Sequence, residues 1–261
     1  MSFIANKSTR ALILMMSALV CMGLIISHFY YKNINSSIDP RIIPARELYE
    51  NYNVFAQNND LKSVFILLDS VENIYNNYQH YKESYEIGVL YNNRAAAFLT
   101  MAIYNDSTVL ESKSEPYINT DSLLNFAETS VNKSISIYKN WMKIYENKNA
   151  KEIKNIISNE FFLGLNDYKE VDKIKYLKNR IKEIQTAQYE TKRRLSVSYT
   201  NLGIIQRHRK QYKDAVDSYQ KAIALWDKNF TAENNLNILL GKPIKKRNLI
   251  QKLFPSERSN N

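Results

Sequence analysis

The side chains able to do chemistry are few and scattered. Three histidines, His28, His80 and His208, lie far apart in the chain, and the only cysteine, Cys21, sits inside an N-terminal apolar run. Acid–base or nucleophilic catalysis needs such groups within hydrogen-bond reach of a tuned partner. The spacing supplies none: there is no glycine-rich phosphate loop, no HExxH and no GxSxG. Carboxylates such as Glu83 and Glu86 fall on helical faces expected to be exposed. His208 ends a helical stretch, where the dipole favours a cation. With its one thiol in the apolar run, the folded part has no disulfide and no cysteine-ligated metal. The expectation is a protein that is not an enzyme and carries no cofactor or metal. One charged cluster remains, Lys245-Lys246-Arg247, set apart from upstream residues by Gly241 and Pro243. Adjacent cations of this kind hold an anionic surface in a salt-sensitive way.

The formal charge of +10 is unevenly spread. Residues 1–38 carry +3, residues 39–131 carry −7 and residues 132–261 carry +14. A solvated lysine-rich surface explains this basic half; so does attraction to an anionic surface or partner. The cations are dispersed over several helical stretches and no nucleic-acid reader motif appears, so no nucleic acid is expected.

Two kinds of element must position whatever function there is. The first is an anchor. Residues 11–31 (ALILMMSALVCMGLIISHFYY) contain no Asp, Glu, Lys or Arg. At about 1.5 Å per residue they span a hydrocarbon core of roughly 30 Å. Lys7 and Arg10 precede the run and Phe29, Tyr30 and Tyr31 close it as an interfacial belt. A cleaved signal peptide would want a shorter core and a small-x-small site. A lipoprotein signal would acylate Cys21, but Val20 is bulky before it and Met22 to Ile26 are apolar or small after it. The expectation is one uncleaved transmembrane helix after a cytoplasmic stretch, 1–10, with the rest of the chain outside the cytoplasm. Lys32 and Arg41 oppose that orientation.

The second kind of element is the amphipathic helix. Gly and Pro number five each in 261 residues, and apolar residues recur at helical spacing almost throughout, so the chain reads as all-α. After a spacer, 32–44, helices are expected at 46–57, 61–75 (capped by Asp60), from Tyr81 onward, 121–145 (capped by Asp121), 151–162 and 172–208. A helix at 230–240 stops at Gly241, and a basic tail, 242–261, follows. Ile174, Leu177, Ile181 and Ile184 alternate three and four apart like a coiled-coil seam. Packing on the chain's own domain is the preferred reading of that seam, with homo-oligomerisation as the alternative.

The clearest pattern lies at 195–228. Tyr199, Leu202 and Gly203 are followed, across the polar turn Arg209-Lys210-Gln211, by Ala215, Tyr219 and Ala222. These offsets resemble the tetratricopeptide repeat, whose period is about 34 residues. Gln206 stands where that signature has Tyr, and Asp227 where it has Pro. Asn235-Leu236 lies one period beyond Asn201-Leu202, so 230–240 is expected to cap the stack. A second, interrupted repeat is read from Tyr91, Arg94, Ala95 and Phe98, with Ala127, Val131 and Ser134 on its partner helix.

The resemblance implies an all-α right-handed superhelix of helical hairpins over 45–241, preceded by the transmembrane helix. It also implies a scaffold that binds a protein or extended peptide in a concave groove lined by first helices. On the long first helix the stripe beside the core is Arg194, Ser198, Asn201, Ile205 and His208. In some relatives the position before Leu-Gly carries an asparagine that holds a peptide backbone. Asn93, Asn201 and Asn235 occupy it here, and a carboxamide both donates to and accepts from a peptide unit. Two other classes of function compete: electrostatic docking of the basic C-terminal half on anionic membrane or polymer, and a self-associating assembly factor.

Overall fold

The computed structural model describes residues 36–105 and 119–246, together with Met15, Met16, Val20 and Met22. The expected span at 11–31 therefore lies outside the described residues apart from those four helical positions. Among the described residues, no helix is long and apolar enough to cross a membrane. All regular structure among them is helical, as the spacing of apolar residues required.

The folded unit begins earlier than expected. Asp39, Arg41 and Ile42 are 3%, 7% and 0% exposed, so the second half of the predicted spacer belongs to the core. A 3-10 turn, Pro40–Ile42, leads into α1 (Ile43–Glu50) and α2 (Tyr52–Gln57). These two were expected as one helix. At Asn51 the backbone amide bonds to Leu48 O, three residues back, which tightens the turn and separates them. Asp60 caps α3 (Leu61–Asn76) by accepting from Ser63 N at 3.1 Å. Gln79–Tyr81 is a separate 3-10 turn, and α4 runs from Tyr85 to Asn105. The helix α5 (Thr120–Tyr145) is capped by Asn119, not Asp121: Asn119 Oδ1 accepts from Ser122 N at 2.7 Å. A reciprocal capping box, Asn149 with Glu152, starts α6 (Ala150–Phe161). Then come α7 (Glu170–His208), α8 (Tyr212–Leu225) and α9 (Phe230–Leu239), which Gly241 ends at φ +65°.

At 39 residues, α7 is roughly 58 Å long and serves two cores. Its first half packs Leu177, Ile181 and Ile184 against Trp141, Ile153 and Phe161. Its second half packs Leu195, Tyr199 and Ile205 against α4, α5, α8 and α9. The seam at 174–184 is thus used inside the chain, except for Ile174, which is 48% exposed. A third core joins the N-terminal segment, α1 and α3 to the start of α4.

Two helical hairpins share one contact. A Cβ added at Gly203 would lie 2.5 Å from Tyr219 Cε1, and one added at Gly88 would lie 2.5 Å from Tyr138 Cε1. In both, only a hydrogen side chain lets the tyrosine ring lie on the facing helix. This corrects the reading of the interrupted repeat. Gly88, not Ala95, takes the glycine place, and Ile87, not Arg94, the leucine place before it, with Tyr91 three residues on; the facing ring is Tyr138, not Val131. Arg94 instead binds Asp69 and Glu72 of α3 at 2.5 and 2.9 Å.

The departures from the repeat signature have visible replacements. Gln206 Oε1 accepts from Ser218 Oγ at 2.7 Å, tying the hairpin where the signature has Tyr. Where it has Pro, the chain leaves α8 through an extended Trp226 and reaches Asn229, which is 4% exposed. Asn229 Nδ2 donates to Ser196 Oγ (2.8 Å) and Thr200 Oγ1 (2.9 Å), while Oδ1 caps α9 at Ala232 N (3.0 Å).

Candidate functional site

The side chains expected to line a groove do not form one open stripe. Ser198 and Ile205 are fully buried, and Asn201 is half-buried. Ser198 Oγ lies 3.0 Å from Ser134 Oγ and 2.9 Å from Asn92 Oδ1, and Asn201 Nδ2 donates to the same Asn92 oxygen at 3.1 Å. These residues fasten α7 to α4 and α5. The expectation of solvent-facing amides is corrected here: helix–helix contact takes them. Asn92 had no motif to single it out in the sequence. Asn93, next to it, donates to Tyr49 Oη at 2.6 Å and so ties α4 to α1. Asn235 sits elsewhere, on α9, accepting from Arg207 Nη1 (3.0 Å) and donating to Thr231 O (2.9 Å). His208 is exposed at the last turn of α7.

Arg194 is different. Its guanidinium stacks over the Tyr85 ring, 5.1 Å from the centroid, and its Nη1 is buried without a hydrogen-bond partner. It lines an open cavity of about 440 Å³ between the N-terminal segment, α1, α4 and α7, with Ile38, Arg46, Tyr85, Lys182 and Glu183. Burial pushes the Tyr85 and Tyr49 phenols above their usual range, so both stay neutral beside the cation.

Beneath this cavity runs an ionic chain that the sequence did not announce. Arg46 Nη2 meets Glu183 at 2.6 Å, Glu183 meets Arg180 at 3.2 Å, and Arg180 grips both oxygens of Glu86, at 2.5 and 3.2 Å. Arg180 is 2% exposed and lies over the rings of Tyr81 and Tyr85. Glu86 is not on an exposed face as expected, because α4 turns it toward α7. Burial pushes its carboxyl up, but the Arg180 guanidinium outweighs that and holds it at about 2. Burial and the neighbouring Arg180 depress His80 to about 3. His80 Nε2 accepts from Arg180 Nε at 3.0 Å, so the neutral ring carries its proton on Nδ1. A second buried pair, Asp39 with Arg41, receives the Tyr81 hydroxyl at 2.9 Å.

The basic cluster is not detached. Lys245 N donates to Asn234 Oδ1 (2.9 Å), Asn234 Nδ2 returns a bond to Lys245 O (3.1 Å), and Lys245 Nζ pairs with Glu233. Gly241 and Pro243 therefore turn the chain back along α9 instead of releasing it. Lys246 is exposed, and Arg247 and the tail beyond it lie outside the described residues.

No protein family, curated protein or solved structure matches this chain.

Proposed function

We propose that the chain is a membrane-anchored helical-repeat scaffold of the tetratricopeptide kind, one that holds an extended segment of another protein against α4 and α7. The observation carrying this reading is Arg194. A buried guanidinium nitrogen without an acceptor is costly, and here it borders an open cavity whose carboxylates, Glu183 and Glu190, are already paired with Arg46 and Arg193. A peptide carbonyl or carboxylate placed there completes its bonding. The repeated glycine–tyrosine contact supports the repeat architecture and its right-handed stacking. Length, flanks and composition support the anchor at 11–31, as do the exposed Met15, Met16, Val20 and Met22 side chains on a helix. With Lys7 and Arg10 on the cytoplasmic side, the repeat domain faces away from the cytoplasm.

A photo-crosslinker in place of Lys182, in the detergent-solubilised full-length chain, reads the occupant directly. The expected result is a polypeptide adduct that falls about tenfold or more in Arg194→Met. A charge-assisted hydrogen bond is worth about 1.5–3 kcal/mol, and about 1.4 kcal/mol is tenfold in affinity. Absence of an adduct, or one unchanged by Arg194→Met, removes this reading of the cavity.

A further inference from the structure

The loop between α6 and α7 and the first two turns of α7 expose a group of aliphatic side chains. Val171 is 78% exposed, Leu163 62% and Ile174 48%. Val171, Ile174, Lys175 and Lys178 stand at i, i+3, i+4 and i+7 and share one helical face. No core of the chain covers Val171 or Ile174, although further along the same helix Leu177, Ile181, Ile184 and Ala187 are buried.

The position of this face relative to the chain's start identifies what covers it. Lys175 Nζ donates to Ser36 Oγ. Arg41, buried against Asp39, donates through Nη1 to Leu163 O and through Nη2 to Phe161 O at 2.9 Å. The apolar loop and the start of α7 are thus pinned to residues 36–41 at two points. Tyr31, the last residue of the apolar run, is five residues before Ser36. Five residues reach at most about 18 Å even when fully extended.

We infer that this face, Leu163, Val171 and Ile174 with the neighbouring Tyr168, Lys169 and Lys178, is a docking surface for the lipid bilayer that holds residues 11–31. The inference rests on the reading of that stretch as an anchor. Its composition suits the headgroup boundary: apolar side chains enter the acyl region, Tyr168 is of the type enriched at the interface, and Lys169 and Lys178 lay their stems on apolar surface while their charge stays in water. Docking fixes the domain's orientation, because α7 is a single rod and its far end is then held away from the anchor's exit. The bilayer, not a soluble partner, is the occupant to which the short tether delivers this face.

The test uses the full-length chain in lipid vesicles, with Cys21→Ser and one new cysteine carrying an environment-sensitive fluorophore: Leu163→Cys, Val171→Cys or, just past the opposite end of α7 at the start of α8, Tyr212→Cys. Labels at 163 and 171 are expected to emit to the blue of the label at 212 and to be quenched several-fold more strongly by nitroxide-bearing lipid. Val171→Asp with Ile174→Asp should return the 163 label to water-like emission while the circular dichroism stays unchanged. Water-like emission at 163 and 171, in a chain that resists alkaline carbonate extraction, overturns the docking surface and leaves the anchor standing. Blue-shifted emission that lipid nitroxides do not quench also overturns it, since a protein, a second copy or another chain, then covers the face. Release of the chain by carbonate is the separate failure of the anchor reading, and it takes this inference with it.

Discussion

The α4–α5 and α7–α8 hairpins make the same glycine–tyrosine contact in opposite chemical surroundings. Around Gly203 and Tyr219 the supporting polar groups are neutral: Ser196, Thr200 and Asn229 bond to one another and to backbone, and Ser218 donates to Gln206. Around the start of α4 the support is ionic, through Arg180, Glu86, Glu183 and Arg46. The contact depends on geometry alone, since a ring needs a missing Cβ opposite it. The surroundings are free to differ, and they determine how each region fails.

The largest difference should come from removing a charge. Arg180→Met leaves Glu86 and Glu183 without their shared cation, and breaking a buried pair costs about 3–5 kcal/mol. The double variant Arg180→Met with Glu86→Leu should recover much of that loss, because the orphaned carboxylate goes too. Urea melts of the two variants give the comparison. If the double variant is no more stable than the single one, the ionic chain is not what Arg180 supports.

Acid should separate the regions next. His80 is depressed to about 3 in the folded state, so the unfolded chain binds its proton first as pH falls. The stability from keeping His80 neutral is whole above about pH 6.5 and drains as pH falls toward 3. Each pH unit within that window is worth about 1.4 kcal/mol, so roughly 2 kcal/mol is lost by pH 5. Glu86, held at about 2, adds a second loss that begins only below about pH 4.5. His80→Gln should flatten the curve between pH 6.5 and 5 and keep the lower limb. Hydrogen exchange should show amides of α4 and α6 losing protection before those of α8. Loss of protection in α8 first would reverse the assignment.

The shared contact itself makes a smaller prediction. Gly88→Ala and Gly203→Ala each gain about 1 kcal/mol of helix propensity against an overpacking cost of about 1–3 kcal/mol. Net destabilisation on the order of 1 kcal/mol is expected at both. In a Tyr219→Leu background the ring is gone, and Gly203→Ala should then stabilise. An Ala that stabilises the wild-type chain at either site would show that the rings move aside freely.

These differences explain what could be read in advance. The α7–α8 hairpin was legible because its turn is short and its contacts are local, so signature spacing and spatial contact coincide. In the α4–α5 hairpin, 49 residues separate Gly88 from Tyr138, and spacing no longer fixes the register; the sequence reading falls seven residues late, on Ala95. The buried ions were illegible for a related reason. Glu86 and Arg180 are ordinary surface types, 94 residues apart, and only the packing of α4 on α7 brings them together. Asn201 and Ser198 were assigned to a groove from the face they occupy. A helix flanked by neighbours on two sides has no free stripe there.

The two regions also differ in how their helices begin, which gives the smallest effect. Asn119 caps α5 and Asp60 caps α3, but Gln211 makes no side-chain cap at the start of α8. The backbone there is already suited to one. Gln211 has φ −82° and ψ 63°, close to Asp60 at −82° and 73° and to Asn229 at −77° and 79°, both of which accept from the amide three residues on. Glutamine fails because its extra methylene carries the carboxamide past that amide, here the one of Asp214. Gln211→Asn keeps the polar turn, adds no charge beside Asp214, and places the oxygen where Asn229 places its own. A cap of this kind is worth about 0.5–2 kcal/mol, and at this exposed end a gain in the lower half of that range is expected. Asn119→Ala should cost a similar amount, whereas Asp121→Ala, which removes a first-turn acid and no cap, should cost less. If Gln211→Asn leaves the melting temperature unchanged while Asn119→Ala lowers it, the backbone at 211 is not held in its capping conformation, and the polar turn before α8 is looser than the contact between Gly203 and Tyr219 requires.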